Sequence, residues 1–214
     1  MAMNRRNFLR MSAALTAAGM SPSLFAATKE QFTIHGAPAM PSVTIAVAAA
    51  QGKLAKQVDV ALEIWRSPDQ LRAGVASGQF KVMMSPSNVG VNLRNQGQQV
   101  GMVNILTNGI TQLMCKSTPI TSPQELLDKK ILVPFKNDMP DIVLQALLKK
   151  LNIDINKVDI TYAATPTEAI GLFLLKDFHA AILPEPMASA VVQKAKIVGT
   201  EIVRGFDLVK EWGQ

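Results

Sequence analysis

The sequence predicts an α/β fold organised as two sheet-based lobes, and three observations carry that prediction. The first is a strand–helix–strand–helix–strand series in the second half of the chain. Its apolar runs fall at residues 131–133, 158–163 and 180–183, each separated by a helical stretch. Alternation of this kind gives parallel strands with helices laid on the sheet faces. The second is a looser series of the same pattern from about Phe32 to Leu106. The third is a pair of apolar runs between the two series, residues 100–106 and 112–116, joined through the turn dipeptide Asn108-Gly109. They read as extended strands crossing from one lobe to the other. No sequence repeat links the two series, so the likeness is one of pattern only.

Residues 1–26 stand apart from the fold. A basic start, Asn4-Arg5-Arg6-Asn7-Phe8-Leu9-Arg10, precedes an apolar run from Met11 to Met20 and the small residues Ala26-Ala27. The segment resembles a twin-arginine export signal at both arginines, at Phe8-Leu9 and at the basic Arg10. Its apolar run is too short to span a bilayer, so a cleaved signal is expected, cut after Ala26 or Ala27.

Along the mature chain, Phe32-Thr33-Ile34-His35 is a short strand followed by the loop 36–41. Ser42 is expected to cap a helix running to Ala50 and closed by Gly52. Val58, Val60, Leu62 and Ile64 alternate with Asp59, Ala61, Glu63 and Trp65, the mark of a half-exposed strand. Ser67-Pro68-Asp69-Gln70 is a capping box with proline at the first helical position, and its helix ends at Gly78. A short strand follows at 81–84, and Ser85-Pro86-Ser87-Asn88 opens a helix or turn. Ser122-Pro123-Gln124-Glu125 repeats the cap ahead of the strand at 131–133.

Asp138 is the expected N-cap of the next helix, whose apolar residues Val143, Leu144, Leu147, Leu148 and Leu151 share one face. Thr165-Pro166-Thr167-Glu168 caps the helix after that, which ends near Lys176. Ile202, Val203, Phe206 and Leu208 begin a return segment before the sequence stops at Gln214.

Composition narrows the function. Removing the signal takes away three arginines and no acid, lowering the net charge from +6 to +3. The basic balance therefore belongs partly to a discarded segment, and no lysine-rich or basic-aromatic stripe points to nucleic acid. The single cysteine, Cys115, sits in an apolar run and reads as a small buried side chain. His35 and His179 have no acid at metal-ligand spacing, so structural roles are expected for both. There is no Gly-Xaa-Ser-Xaa-Gly elbow, phosphate-cradling glycine loop or acid–base constellation with a nucleophile. Trp65, Trp212 and Tyr162 supply few rings, though one well-placed ring suffices to stack a flat ligand.

Taken together, several of these residues resemble the periplasmic solute-binding proteins of ABC importers in the nitrate, sulfonate, taurine and thiamine-precursor group. The resemblance is carried by Ser122-Pro123-Gln124-Glu125-Leu126-Leu127-Asp128-Lys129-Lys130-Ile131, Pro140-Asp141, Pro166-Thr167-Glu168-Ala169 and the run from Ala180 to Pro186. Phe206-Asp207-Leu208 and Glu211-Trp212-Gly213 also match. It implies a type II periplasmic-binding-protein fold, with each lobe a mostly parallel sheet flanked by helices. Lobe 1 falls at about 28–112, lobe 2 at 113–202, and 203–214 returns toward lobe 1.

Members of that group are longer, so either a truncated fragment or a shortened variant is expected, with an incomplete first lobe exposing a strand edge and an apolar face.

The implied function is capture of a small organic solute between the lobes and its delivery to the permease subunits of an ABC transporter in the inner membrane. No enzyme activity, cofactor, metal or nucleic acid is implied, and the chain is expected to be a monomer. A periplasmic sensing module or a non-binding remnant are the alternatives, and a thiamine-precursor synthetic enzyme is disfavoured.

On matching positions the cleft should be lined by Pro38, Met40 and Pro41, by Ser85, Ser87 and Asn88, by Lys136, Asn137 and Met139, and by Glu185 and Pro186. Helix N-termini favour negative ligand groups, and Lys136 would add a counter-charge. Asp138 and Asp141 oppose an anion, so the ligand's charge stays open. Glu185 either accepts hydrogen bonds from an amine-bearing ligand or stands as a solvated or capping carboxylate.

Overall fold

A computed structural model of the protein describes residues 31–52 and 56–213. The export-signal segment read at 1–26 lies outside the described residues. Two separate sheets organise them. The first has three strands, β1 (Gln31–Gly36), β2 (Asp59–Ile64) and β3 (Val82–Met83), in the order β2-β1-β3. Both pairings are parallel. Helices α1 (Pro41–Gln51), α2 (Pro68–Ala76) and α3 (Ser87–Asn95) follow β1, β2 and β3 in turn.

The second sheet has five strands: β4 (Thr111–Lys116), β5 (Lys130–Pro134), β6 (Asp159–Ala163), β7 (Ala180–Pro184) and β8 (Ile202–Arg204), ordered β6-β5-β7-β4-β8. As the sequence predicts, the runs at 131–133, 158–163 and 180–183 are parallel neighbours, with β5 between β6 and β7. The crossing strand β4 enters antiparallel to both β7 and β8. Helices α4 (Met139–Lys150), α5 (Pro166–Leu175), α6 (Met187–Ile197) and α7 (Leu208–Trp212) complete this half.

Local chemistry accounts for these helices. Thr165 accepts a hydrogen bond from the Glu168 amide while the Glu168 carboxylate accepts from the Ala164 amide, a closed capping box. Ser67 caps α2 by accepting from the Gln70 amide, and Asp138 caps α4 by accepting from the Met139 amide. Ser42 departs from expectation. It lies inside the first turn of α1, where its hydroxyl donates to the Ala37 carbonyl at 2.6 Å, and Met40 is the N-cap. The motif at Ser122 produces only a 3-10 turn, Pro123–Leu126: the Ser122 hydroxyl accepts no capping hydrogen bond and instead donates to Glu125.

The five-stranded sheet carries a core on each face. Leu113, Ile131, Val133, Leu144, Leu147, Leu148 and Ile182 pack on one side, with Phe206 and Leu208 of the expected return segment among them. Met114, Leu132, Ile170, Phe173, Leu183 and Val191 pack on the other. The three-stranded sheet has a smaller cluster of Ala37, Trp65, Leu71, Val75, Val89 and Leu93.

One expected strand does not form. Residues 100–106 form no regular element and pair with no strand among the described residues, and Val103 is 99% exposed. Apolar, β-prone composition makes a strand only where a neighbouring edge offers hydrogen bonds, and across the cavity from the edge of β3 this segment makes none with it. Among the described residues no helix is long and apolar enough to cross a membrane.

Candidate functional site

In a parallel sheet every strand ends at the same edge, so the loops that follow the strands gather there. Here the carboxyl-end loops of both sheets meet at one cleft. The three-stranded sheet contributes Ala37 to Ala39 after β1, Trp65 after β2, and Met84 to Ser87 after β3. The five-stranded sheet contributes Phe135 and Asp138 to Pro140 after β5, with Pro184 at the end of β7. The cavity has a volume of about 1420 Å³, above the ~300–1,000 Å³ of small-molecule sites, because it continues along the open edge of β3 and the segment 100–110. Its walls are chiefly apolar and aromatic.

The predicted site residues divide by their placement. Pro38, Pro41, Ser85, Ser87 and Met139 line the cleft. Met40 does not, and its amide instead donates to the Glu185 carbonyl at 2.7 Å, tying the two halves together. Asn88 lies behind the wall, where its Oδ1 is buried with no hydrogen-bond partner among the described residues. Lys136 turns back over the Tyr162 ring, 5.1 Å from its centroid. Asn137 sits exposed in a left-handed conformation, φ 60°, with its amide donating to Asp141.

Glu185 and Pro186 lie outside the cleft lining. One Glu185 oxygen accepts from Arg204 at 2.8 Å and the other from the Ser189 amide at 3.1 Å, so the carboxylate serves as an internal clamp. Burial pushes this carboxyl up, but the Ser189 hydrogen bond and the Arg204 guanidinium outweigh it and hold it below the usual range.

Charges near the cleft are largely engaged with one another. Arg72 bridges Asp69 at 3.2 Å and Asp138 at 3.4 Å, and the latter contact spans the two halves. Arg94 donates to the Val100 carbonyl at 3.0 Å. Trp65, 4% exposed, donates its indole N–H to the Met84 carbonyl at 2.9 Å, which fixes its ring in the wall.

His35 stacks on Phe80, a residue of the cleft wall, with centroids 3.6 Å apart, and away from the cleft His179 accepts from the Lys130 amide. Burial, above all, raises the Cys115 thiol, which is buried in the sheet core. Among the described residues no group of three or more His, Cys, Asp or Glu is placed to hold a metal ion.

Phe135 was not singled out by sequence, although it occupies the cleft wall. A phenylalanine at φ 61° has no sequence signature, since left-handed backbone is announced by glycine or asparagine.

Comparison with known proteins fits this architecture. Residues 2–22 match the family described as TAT (twin-arginine translocation) pathway signal sequence. The chain is therefore addressed to the twin-arginine route and the periplasm. No curated protein matches the sequence.

Among solved structures, an ABC transporter protein from Parabacteroides distasonis is similar at TM-score 0.64 and 21% identity, covering 85% of this chain and 59% of that one. The ligand-binding component of an ABC-type import system from Staphylococcus aureus, with zinc bound, gives 0.65 and 14%, covering 84% and 61%. The periplasmic aliphatic sulphonate binding protein from Escherichia coli gives 0.61 and 14%, covering 82% and 59%. These likenesses show the fold. It is a periplasmic-binding-protein fold. The chain spans about three fifths of the length of these three structures.

Proposed function

We propose that this protein is the substrate-binding component of an ABC importer. It captures a small organic solute between its two sheets and hands it to permease subunits in the inner membrane. The observation that carries the reading is the convergence of carboxyl-end loops from both sheets on one cleft. The export signal and the fold of the neighbours support the same reading. Pro38, Pro41, Ser85, Ser87 and Met139 are the predicted residues that face the solute, joined by Trp65 and Phe135.

Ligand capture by two lobes is a population shift, driven by contacts made only in the closed form. The solute class follows the sulfonate, taurine, nitrate and thiamine-precursor group. The protein works as a monomer, without cofactor or nucleic acid.

The test is a thermal-shift screen of the mature chain against alkanesulfonates, taurine, nitrate, pyrimidines and small carboxylates. A ligand at 100 times its Kd stabilises by about 2.7 kcal/mol, which moves Tm by several degrees. A cooperative melt that no compound shifts overturns the proposal.

A further inference from the structure

The loop between β5 and α4 sends both an apolar and a charged side chain into the other half. Phe135 packs against the cluster of the three-stranded half to which Trp65, Leu71 and Val75 belong. Three residues on, Asp138, 3% exposed, accepts from Arg72 of α2 at 3.4 Å. Both reach across because the backbone between them takes an unusual path. Phe135 and Asn137 are both left-handed, at φ 61° and φ 60°, and neither is glycine.

A non-glycine residue at such an angle persists only where its surroundings over-determine it. What over-determines Asn137 is Asp141, fully buried in the first turn of α4. One of its oxygens accepts the Asn137 amide at 2.7 Å. The other accepts Gln145 Nε2 at 2.8 Å and the Tyr162 hydroxyl at 3.0 Å, the latter from the neighbouring strand β6. A carboxylate with no exposure is costly to bury, and these hydrogen bonds are what make it tolerable. At the near end, the Phe135 amide donates to the Ala163 carbonyl at 2.9 Å.

We propose that Phe135 is the closing and specificity-determining contact of the cleft, and that Asp141 is the positioning residue that aims it. This deepens the solute-binding reading and rests on it for its functional meaning. A ring fixed from one half against the apolar cluster of the other leaves a flat apolar wall for the solute. It therefore favours ligands with an apolar body over small inorganic anions.

The experiment uses the full mature chain carrying Trp212→Phe, so that Trp65 is the remaining tryptophan. Acrylamide quenching of Trp65 reads the closure without any ligand. Phe135→Ala should raise the quenching constant about threefold, as local opening exposes the cluster, with the melt still cooperative. Asp141→Asn should raise it less, and Asn137→Gly in the Asp141→Asn background should bring it back toward the parent. Glycine adopts the left-handed angle without a pin, so only a positioning role is rescued this way.

Should Phe135→Ala not fold, Phe135→Leu keeps an apolar side chain at the same position and should give an intermediate rise. Unchanged quenching in the Phe135 variants that fold overturns the closing contact. An Asp141→Asn defect that glycine does not relieve overturns the positioning role. Neither result touches the solute-binding reading, which stands or falls on the ligand screen. Conversely, a quenching response with no ligand found keeps the contact and removes the function.

Discussion

The two halves are written in the same alternation of strand and helix, yet they are not held together equally well. In the five-stranded half β7 is buried along its whole length and β5 along all but its first residue, with helices covering both faces. In the three-stranded half β2 is exposed or half-buried throughout, β3 is two residues long, and α1 shows Val43 and Val47 to solvent. A central parallel strand is rigid because apolar neighbours enclose it on every side, and an edge strand is softer for want of them. The difference teaches that a cleft between these sheets has one fixed wall and one yielding wall. The Phe135 loop springs from the fixed one.

The comparison can be broken by truncating equivalent side chains. Leu132, at the centre of β5 and fully buried, should cost about 2–5 kcal/mol on change to alanine, because a large cavity is left in a tight core. Leu62, half-buried on β2, should cost less than half of that in the same urea titration. Equal losses would mean the two sheets are equally well packed.

A smaller effect concerns the Glu185–Arg204 clamp, which fastens α6 to β8 in the fixed half. The folded carboxyl lies below its unfolded value, so its contribution is present above the ordinary glutamate range and disappears as pH falls through the folded value. Glu185→Gln should therefore lower the melting temperature at neutral pH, by under about 1 kcal/mol in stability terms since Arg204 is half exposed. The gap from the parent should narrow as the pH is lowered past ~4. A gap that widens in acid would reverse the assignment.

The smallest expected change is Val103→Lys in the segment 100–106. Stability should stay within about 0.5 kcal/mol, since the side chain touches almost nothing. Light scattering on heating should nevertheless fall, because a charge now interrupts an uncharged apolar strip beside an open sheet edge.

Much of the five-stranded half was legible because its signals agree. Apolar runs of strand length are bounded by Asp138 and Thr165, both of which cap as read. The looser half was less legible for the reason that makes it loose. The run 100–106 has strand composition, but pairing depends on a partner edge that sequence does not display. At the cleft, Ser85, Ser87 and Met139 were visible as residues after strands or at helix starts, and the geometry puts them on its wall. Phe135 escaped because no glycine or asparagine stands at that position to announce its left-handed backbone, and the Ala163 carbonyl that holds its amide comes from β6, far along the chain. For Glu185 the sequence leaves a ligand contact and a capping carboxylate equally open; the Ser189 amide it accepts fits the capping role, and Arg204 comes within reach only because β8 docks beside β4.

Each sheet is drawn from one uninterrupted stretch of chain, 31–83 for the first and 111–204 for the second. Among the described residues a single covalent passage therefore joins them. One tether limits how far the halves can separate but says little about their twist or tilt. Alignment must come from what touches across the gap: the Phe135 ring, the Arg72–Asp138 pair and the Met40–Glu185 hydrogen bond. The orientation of the halves should thus respond to salt and solvent as a docking equilibrium does, not as a hinge with a built-in rest angle.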